Sequence, residues 1–188
     1  MSDEGAGDFL VRLTAKLAGA GVPNMVVGSF ASSFHGIPRS SQDVDLVIDP
    51  DAASLRRFLS ELPVDDYYAD ADAARDALER RGQFNVIDMA TAWKADLIVR
   101  KDRPFSVEEM RRRKEGELFG ARVFVASPED TLISKLEWAR QGGGSELQLR
   151  DAAGILQLRG SELDVEYIEF WVAELQLQDL WNRVRADS

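Results

Sequence analysis

The sequence predicts an α/β (α+β) protein: a mixed sheet flanked by helices, followed by a mainly helical C-terminal half. Up to about residue 100, segments with helical apolar spacing alternate with short apolar runs, the pattern of helices packed on a sheet. Beyond Arg100 the strands become short and helical spacing dominates. The chain has 188 residues and 45% apolar content, so it can bury about 70% of its unfolded surface, enough for one core and a small second lobe. Residues 1–104 are expected to form the α/β core and 105–188 a mainly helical lobe packed on it.

Phe9, Leu10, Leu13 and Leu17 recur at helical spacing, and Gly19 and Gly21 close that first helix. A strand runs from Asn24 to Val27, and Gly28-Ser29 turns the chain into a helix through Ser33, His35 and Gly36. Asp43 to Ile48 is the next strand. Asp49-Pro50-Asp51 offers an N-cap, a proline at the first helical position and an acidic first turn for a helix reaching Leu62. Asp70 to Arg81 is helical, and Phe84 to Met89 with Ala95 to Val99 form an antiparallel hairpin. A basic helix follows near Val107 to Lys114, then a short strand pair around Leu118 and Arg122 to Val125. Ser127-Pro128-Glu129-Asp130 starts a helix through Trp138 that Gly142-Gly143-Gly144 ends, and residues 146–159, 164–174 and 177–185 complete the helical half.

Asp43 and Asp45 are one residue apart on a strand, so they share a face with their Cα atoms about 6.6 Å apart while Val44 and Leu46 point to the other. Two hard oxygen ligands so placed suit one Mg²⁺, or an ion pair about 3.5–4 Å apart that clamps both oxygens of a phosphoryl displacement. The plainer reading is ordinary acidic residues at strand ends. Aspartate is depleted in strands, however, and Asp96 adds a third directly before Leu97-Ile98-Val99. Gly28-Ser29 is at once a common small-residue turn and a helix start whose free N–H groups suit a phosphate.

Gly28-Ser29, the helix after it and Pro38-Arg39-x-Ser41-x-Asp43-x-Asp45 together resemble the signature of the DNA polymerase beta superfamily of nucleotidyltransferases. Within that superfamily the chain is most similar to a small bacterial branch that includes abortive-infection-type toxins. The resemblance implies a nucleotidyltransferase-like fold, a nucleoside triphosphate held by Gly28, Ser29, Arg39 and Ser41, and Mg²⁺ or Mn²⁺ on Asp43, Asp45 and a third carboxylate from a later strand. Asp96 fits that place, with Asp88 as its rival. Position 41 departs from the resembling enzymes, which more often carry threonine, but serine keeps the hydroxyl. In those toxins a lysine and an aspartate at places comparable to Lys135 and Asp151 belong to the active site, which implies a catalytic Lys135 and a nucleotide-binding Asp151.

The residues themselves admit another account of that pair. Asp151 falls on the apolar arc of Leu147, Ala152, Ile155 and Leu158, and Lys135 flanks the stripe of Leu132, Ile133, Leu136 and Ala139, so a buried ion pair between two helices explains them equally well. Arg39 has a surface alternative too, a salt bridge to Asp43 or Asp49. His35, the sole histidine, is read as a packed or capping residue, and Trp93, Trp138, Trp171 and Trp181 as core and lobe-contact anchors.

A net charge of −10 argues against a long nucleic-acid duplex as partner. The run Arg111-Arg112-Arg113-Lys114 sits among Glu108, Glu109, Glu115 and Glu117, which reads as a solvated helix face. Cysteine is absent, the start lacks the basic and apolar regions of a secretory signal, and no apolar stretch approaches the roughly 20 residues of a membrane span. A cytoplasmic location and no membrane partner are expected. The expected reaction transfers a nucleotidyl group to a hydroxyl of tRNA, a protein or a small molecule. The two alternatives are a non-catalytic nucleotide-binding or regulatory protein of the same fold, as one half of a toxin–antitoxin pair, and a plain interaction module.

Overall fold

The computed structural model describes residues 3–41 and 43–186; Gln42, within the segment from Arg39 to Asp45, lies outside them. The chain forms two compact units, one built from Met1–Val27 and Ser41–Val125, the other from Gly28–Ser40 and Ala126–Ser188. No helix among the described residues is long and apolar enough to cross a membrane.

The first unit holds a seven-stranded mixed sheet. It begins with α1 (Asp3–Gly19) and β1 (Asn24–Val26); α2 (Gly28–His35) belongs to the second unit. The first unit resumes with β2 (Asp43–Ile48), α3 (Ala52–Ser60), β3 (Tyr67–Ala69), α4 (Ala71–Arg80), β4 (Gln83–Asp88) and β5 (Lys94–Val99), and ends with α5 (Pro104–Arg112), β6 (Lys114–Leu118) and β7 (Ala121–Val125). The strand order is β3-β4-β5-β2-β1-β7-β6, with β2/β5 and β1/β7 parallel and the other neighbours antiparallel. The expected β4–β5 hairpin is present.

Sequence periodicity explains most of these elements. Phe9, Leu10, Leu13 and Leu17 are buried on one stripe of α1, which packs on β1 and β7. The helix ends where Gly21 takes φ +73°, with Val22 N–H bonded to Leu17 O and Gly21 N–H to Ala18 O, a left-handed cap that favours glycine. Along β2 and β5 burial alternates, so Val44, Leu46 and Ile48 align with Ala95, Leu97 and Val99 in the core. The start of α3 differs from the expected one. Asp51 rather than Asp49 is the N-cap, because its carboxylate accepts from Ser54 N–H while the Ser54 hydroxyl accepts from Asp51 N–H, a reciprocal box that Asp49 lacks a partner to form.

In the second unit, α2 packs with α6 (Pro128–Gln141) and α7 (Glu146–Arg159), which are followed by α8 (Val165–Glu174) and α9 (Gln178–Ala186). Ser127 caps α6 by accepting from Asp130 N–H, with Pro128 in the first turn. The stripe Leu132, Ile133, Leu136 and Ala139 is buried. On α7 the buried apolar residues are instead Leu149, Ala152 and Ile155; Leu147 and Leu158 are 46% and 61% exposed, because each lies in a terminal turn of the helix. The α2–α7 contact is close: a Cβ added at Gly36 would lie 2.9 Å from Ile155 N and 3.0 Å from Gly154 C. His35 is buried, with Nε2 2.7 Å from Ala126 O, as a packed residue should be. Trp93 and Trp181 are core residues, but Trp138 is 52% exposed, so the reading of all four tryptophans as anchors fails there.

Candidate active site

The parallel pairing of β2 with β5 decides what the acidic residues face. Its register sets Asp43 beside Lys94 and Asp45 beside Asp96, on the face opposite the buried Val44–Ala95 and Leu46–Leu97 rows. All three sequence-predicted carboxylates therefore share one patch of adjacent strands. Val27 N–H donates to Asp45 O at 2.9 Å, and the Ser41 hydroxyl donates to Asp43 O at 3.1 Å, so Ser41 fixes the entry to β2.

Lys94 had no role in the sequence reading, yet it organises this patch. Its Nζ lies 3.4 Å from Asp43 Oδ2 and 3.3 Å from Asp96 Oδ2. Burial alone would lower the Lys94 pKa, but the charges and hydrogen bonds of Asp96 and Asp43 outweigh it and hold the ammonium above the usual lysine value. Asp96 Oδ1 is buried and has no hydrogen-bond partner among the described residues. Alternation was the signal available: Lys94 and Asp96 are two apart and must share a face.

The donor chemistry of the patch fits a hard cation, since carboxylate oxygens already converge on a positive charge and one buried oxygen is left over. The spacing, however, is that of an ammonium. Mg²⁺ takes oxygens at about 2.0–2.1 Å, and among the described residues no group of three or more His, Cys, Asp and Glu side chains stands close enough to hold a metal ion.

Asp88, the rival third carboxylate, is engaged elsewhere. Its Oδ1 accepts from Ala90 N–H at 2.9 Å and Thr91 N–H at 3.1 Å, and its other oxygen pairs with Arg12 of α1. Burial pushes this carboxyl up, but the N–H groups of Thr91 and Ala90, with Arg12, outweigh that and hold it below the usual aspartate range. It ties the β4–β5 turn to α1. Asp88→Asn should therefore lower unfolding stability by about 1.5–3 kcal/mol and leave any transfer activity of the folded protein unchanged, as urea melts and an activity assay on one preparation would show.

The second unit carries its own polar cluster. Asp151, 5% exposed at its side chain, accepts from Arg39 Nε at 3.0 Å and Nη2 at 3.1 Å, from Lys135 Nζ at 2.8 Å and from Ser32 Oγ at 3.2 Å. Burial would raise this carboxyl, but Arg39 and Lys135 overcome it and hold the pKa below the usual aspartate value. Among the described residues Arg39 pairs with Asp151, and Asp49 binds Arg100 at 2.9 Å. The ion pair weighed for Lys135 and Asp151 is present, with Ser32 as an unforeseen member. Gly28 takes φ +63° at the start of α2, a conformation L side chains rarely adopt, and Ser29 behind it is buried.

Comparison with solved structures identifies the fold. An antigenic nucleotidyltransferase-like protein from Paracoccidioides brasiliensis matches with a TM-score of 0.56 and 18% identity, over 98% of this chain and 92% of its own. The antibiotic-resistance factor ANT(2'')-Ia matches with a TM-score of 0.51 and 15% identity, over 96% and 98% of the two chains. The chain has the nucleotidyltransferase-like fold. No family model matches the sequence, and no curated protein matches it.

Proposed function

We propose that the protein is a metal-dependent nucleotidyltransferase that moves a nucleotidyl group from a nucleoside triphosphate to an acceptor hydroxyl. The observation that carries this reading is the β2–β5 register, which sets Asp45 beside Asp96 while Asp43 and Asp96 share one cation. Bound Mg²⁺ or Mn²⁺ would supply Lewis-acid stabilisation of the charge that builds on the phosphate oxygens. Asp43, Asp45 and Asp96 would hold it. Gly28 and Ser29, at the start of α2, would bind the triphosphate. Ser41 braces the strand that carries the ligands. Arg39 and Lys135, oriented by Asp151, offset phosphate charge. The acceptor oxygen attacks the α-phosphorus, the bond to the β-phosphate oxygen breaks, pyrophosphate leaves, and the acceptor's proton passes to Asp96.

One observation favours the non-catalytic alternative, a nucleotide-binding or regulatory protein of the same fold: Lys94 occupies the space between two of the aspartates. A single experiment separates the readings. The protein is incubated with each labelled nucleoside triphosphate, Mg²⁺ or Mn²⁺, and tRNA, cell protein or small hydroxylated compounds, and covalent label is measured in each fraction. Catalysis predicts metal-dependent label in one fraction; label in tRNA or protein fits the toxin of a toxin–antitoxin pair acting in the cytoplasm. Binding without label in any fraction rejects the transferase.

A further inference from the structure

Lys94 is held by its backbone, not only by its charge. Its Cα pairs with Asp43 in the sheet and it precedes Asp96 by two residues, so its ammonium is tethered beside both carboxylates. We infer that Lys94 is a built-in competitor for the divalent ion, occupying the place between Asp43 and Asp96 in the metal-free protein and setting how much free metal the site requires. This rests on the metal-dependent reading above.

Three physical points support the role. A tethered group acts at an effective concentration in the millimolar range, comparable with the free ions it would oppose. The oxygen-to-cation distances of 3.3 and 3.4 Å exceed the roughly 2.0–2.1 Å of Mg²⁺ ligation, so the carboxylates cannot close on an ion while the ammonium lies between them. The lysine side chain is 31% exposed on a flexible four-carbon stem, which gives it a way out toward solvent without movement of β5. In the meantime it relieves the repulsion of carboxylates on adjacent strands, which like charges would otherwise impose.

The test is calorimetric titration of MnCl₂ into the wild type, Lys94→Met, Lys94→Gln and Asp96→Asn, with thermal melts in the absence and presence of Mn²⁺. Lys94→Gln keeps a polar group on the patch and serves if the methionine variant folds poorly. Both lysine variants are expected to bind Mn²⁺ at least tenfold more tightly than the wild type, to melt lower without metal and to gain more from it; Asp96→Asn should lose the binding heat. Equal or weaker affinity in the folded lysine variants, with the wild type still binding, removes the role of Lys94 and leaves the metal reading intact. No binding by any protein, or full binding by Asp96→Asn, overturns both.

Discussion

Asp151→Ala is expected to cost the fold about 3–5 kcal/mol, because it removes the buried carboxylate to which both Lys135 and Arg39 are bonded and leaves two neighbouring positive charges without it. Lys135→Met should cost less, since Asp151 keeps its two-nitrogen contact with Arg39. The double change Lys135→Met with Asp151→Leu should recover part of the loss, as residues in one network do not add. The pH dependence follows from the depressed Asp151 pKa. The folded carboxyl binds protons less readily than the unfolded one, so its contribution is fully present above the ordinary value of about 3.9 and disappears as pH falls through the folded value. Urea melts from pH 7 downward should show that acid loss in the wild type and a flatter acid limb in the double variant. Full transfer activity in a stable double variant would remove Lys135 from the proposed chemistry.

Asp45→Asn should reduce nucleotidyl transfer by about 10³-fold or more, since a lost metal ligand forfeits several kcal/mol of charge stabilisation and each 1.4 kcal/mol is tenfold in rate. The fold should survive, because Asp45 lies on the partly exposed face of β2 and its backbone carbonyl, which accepts from Val27 N–H, is untouched. Labelled-nucleotide transfer measured beside a thermal melt checks both halves. Activity within tenfold of the wild type in a folded variant would end the assignment of Asp45.

The elements that sequence revealed best are those whose periodicity is long or whose caps are chemically distinct: the α1 stripe, the alternation in β2 and β5, and Ser127-Pro128 at the head of α6. β3 was missed because its three residues, Tyr67 to Ala69, complete no repeat, and its place is fixed by pairing with β4. The Asp43–Asp45 spacing was legible since it depends on one strand. That Lys94 also meets Asp43 was not, because it depends on register between strands that have about 45 intervening residues. Likewise, Asp151 on an apolar arc announced a partner, but only the packing of α2 could show that Arg39 shares it with Lys135.

The division of the chain also sets an order of events during synthesis. Residues 28–40 belong with helices made much later: Ser32 and Asp151, which bond in the native fold, are 119 positions apart. At about 5–20 residues per second, the segment around α2 waits on the order of ten seconds for the helices it will pack against, while β1 and β2 on either side of it can already pair. A ribosome that stalls before Asp151 therefore leaves Arg39 and the apolar side of α2 exposed in an otherwise sheet-forming chain, an intermediate that chaperones would have to shelter.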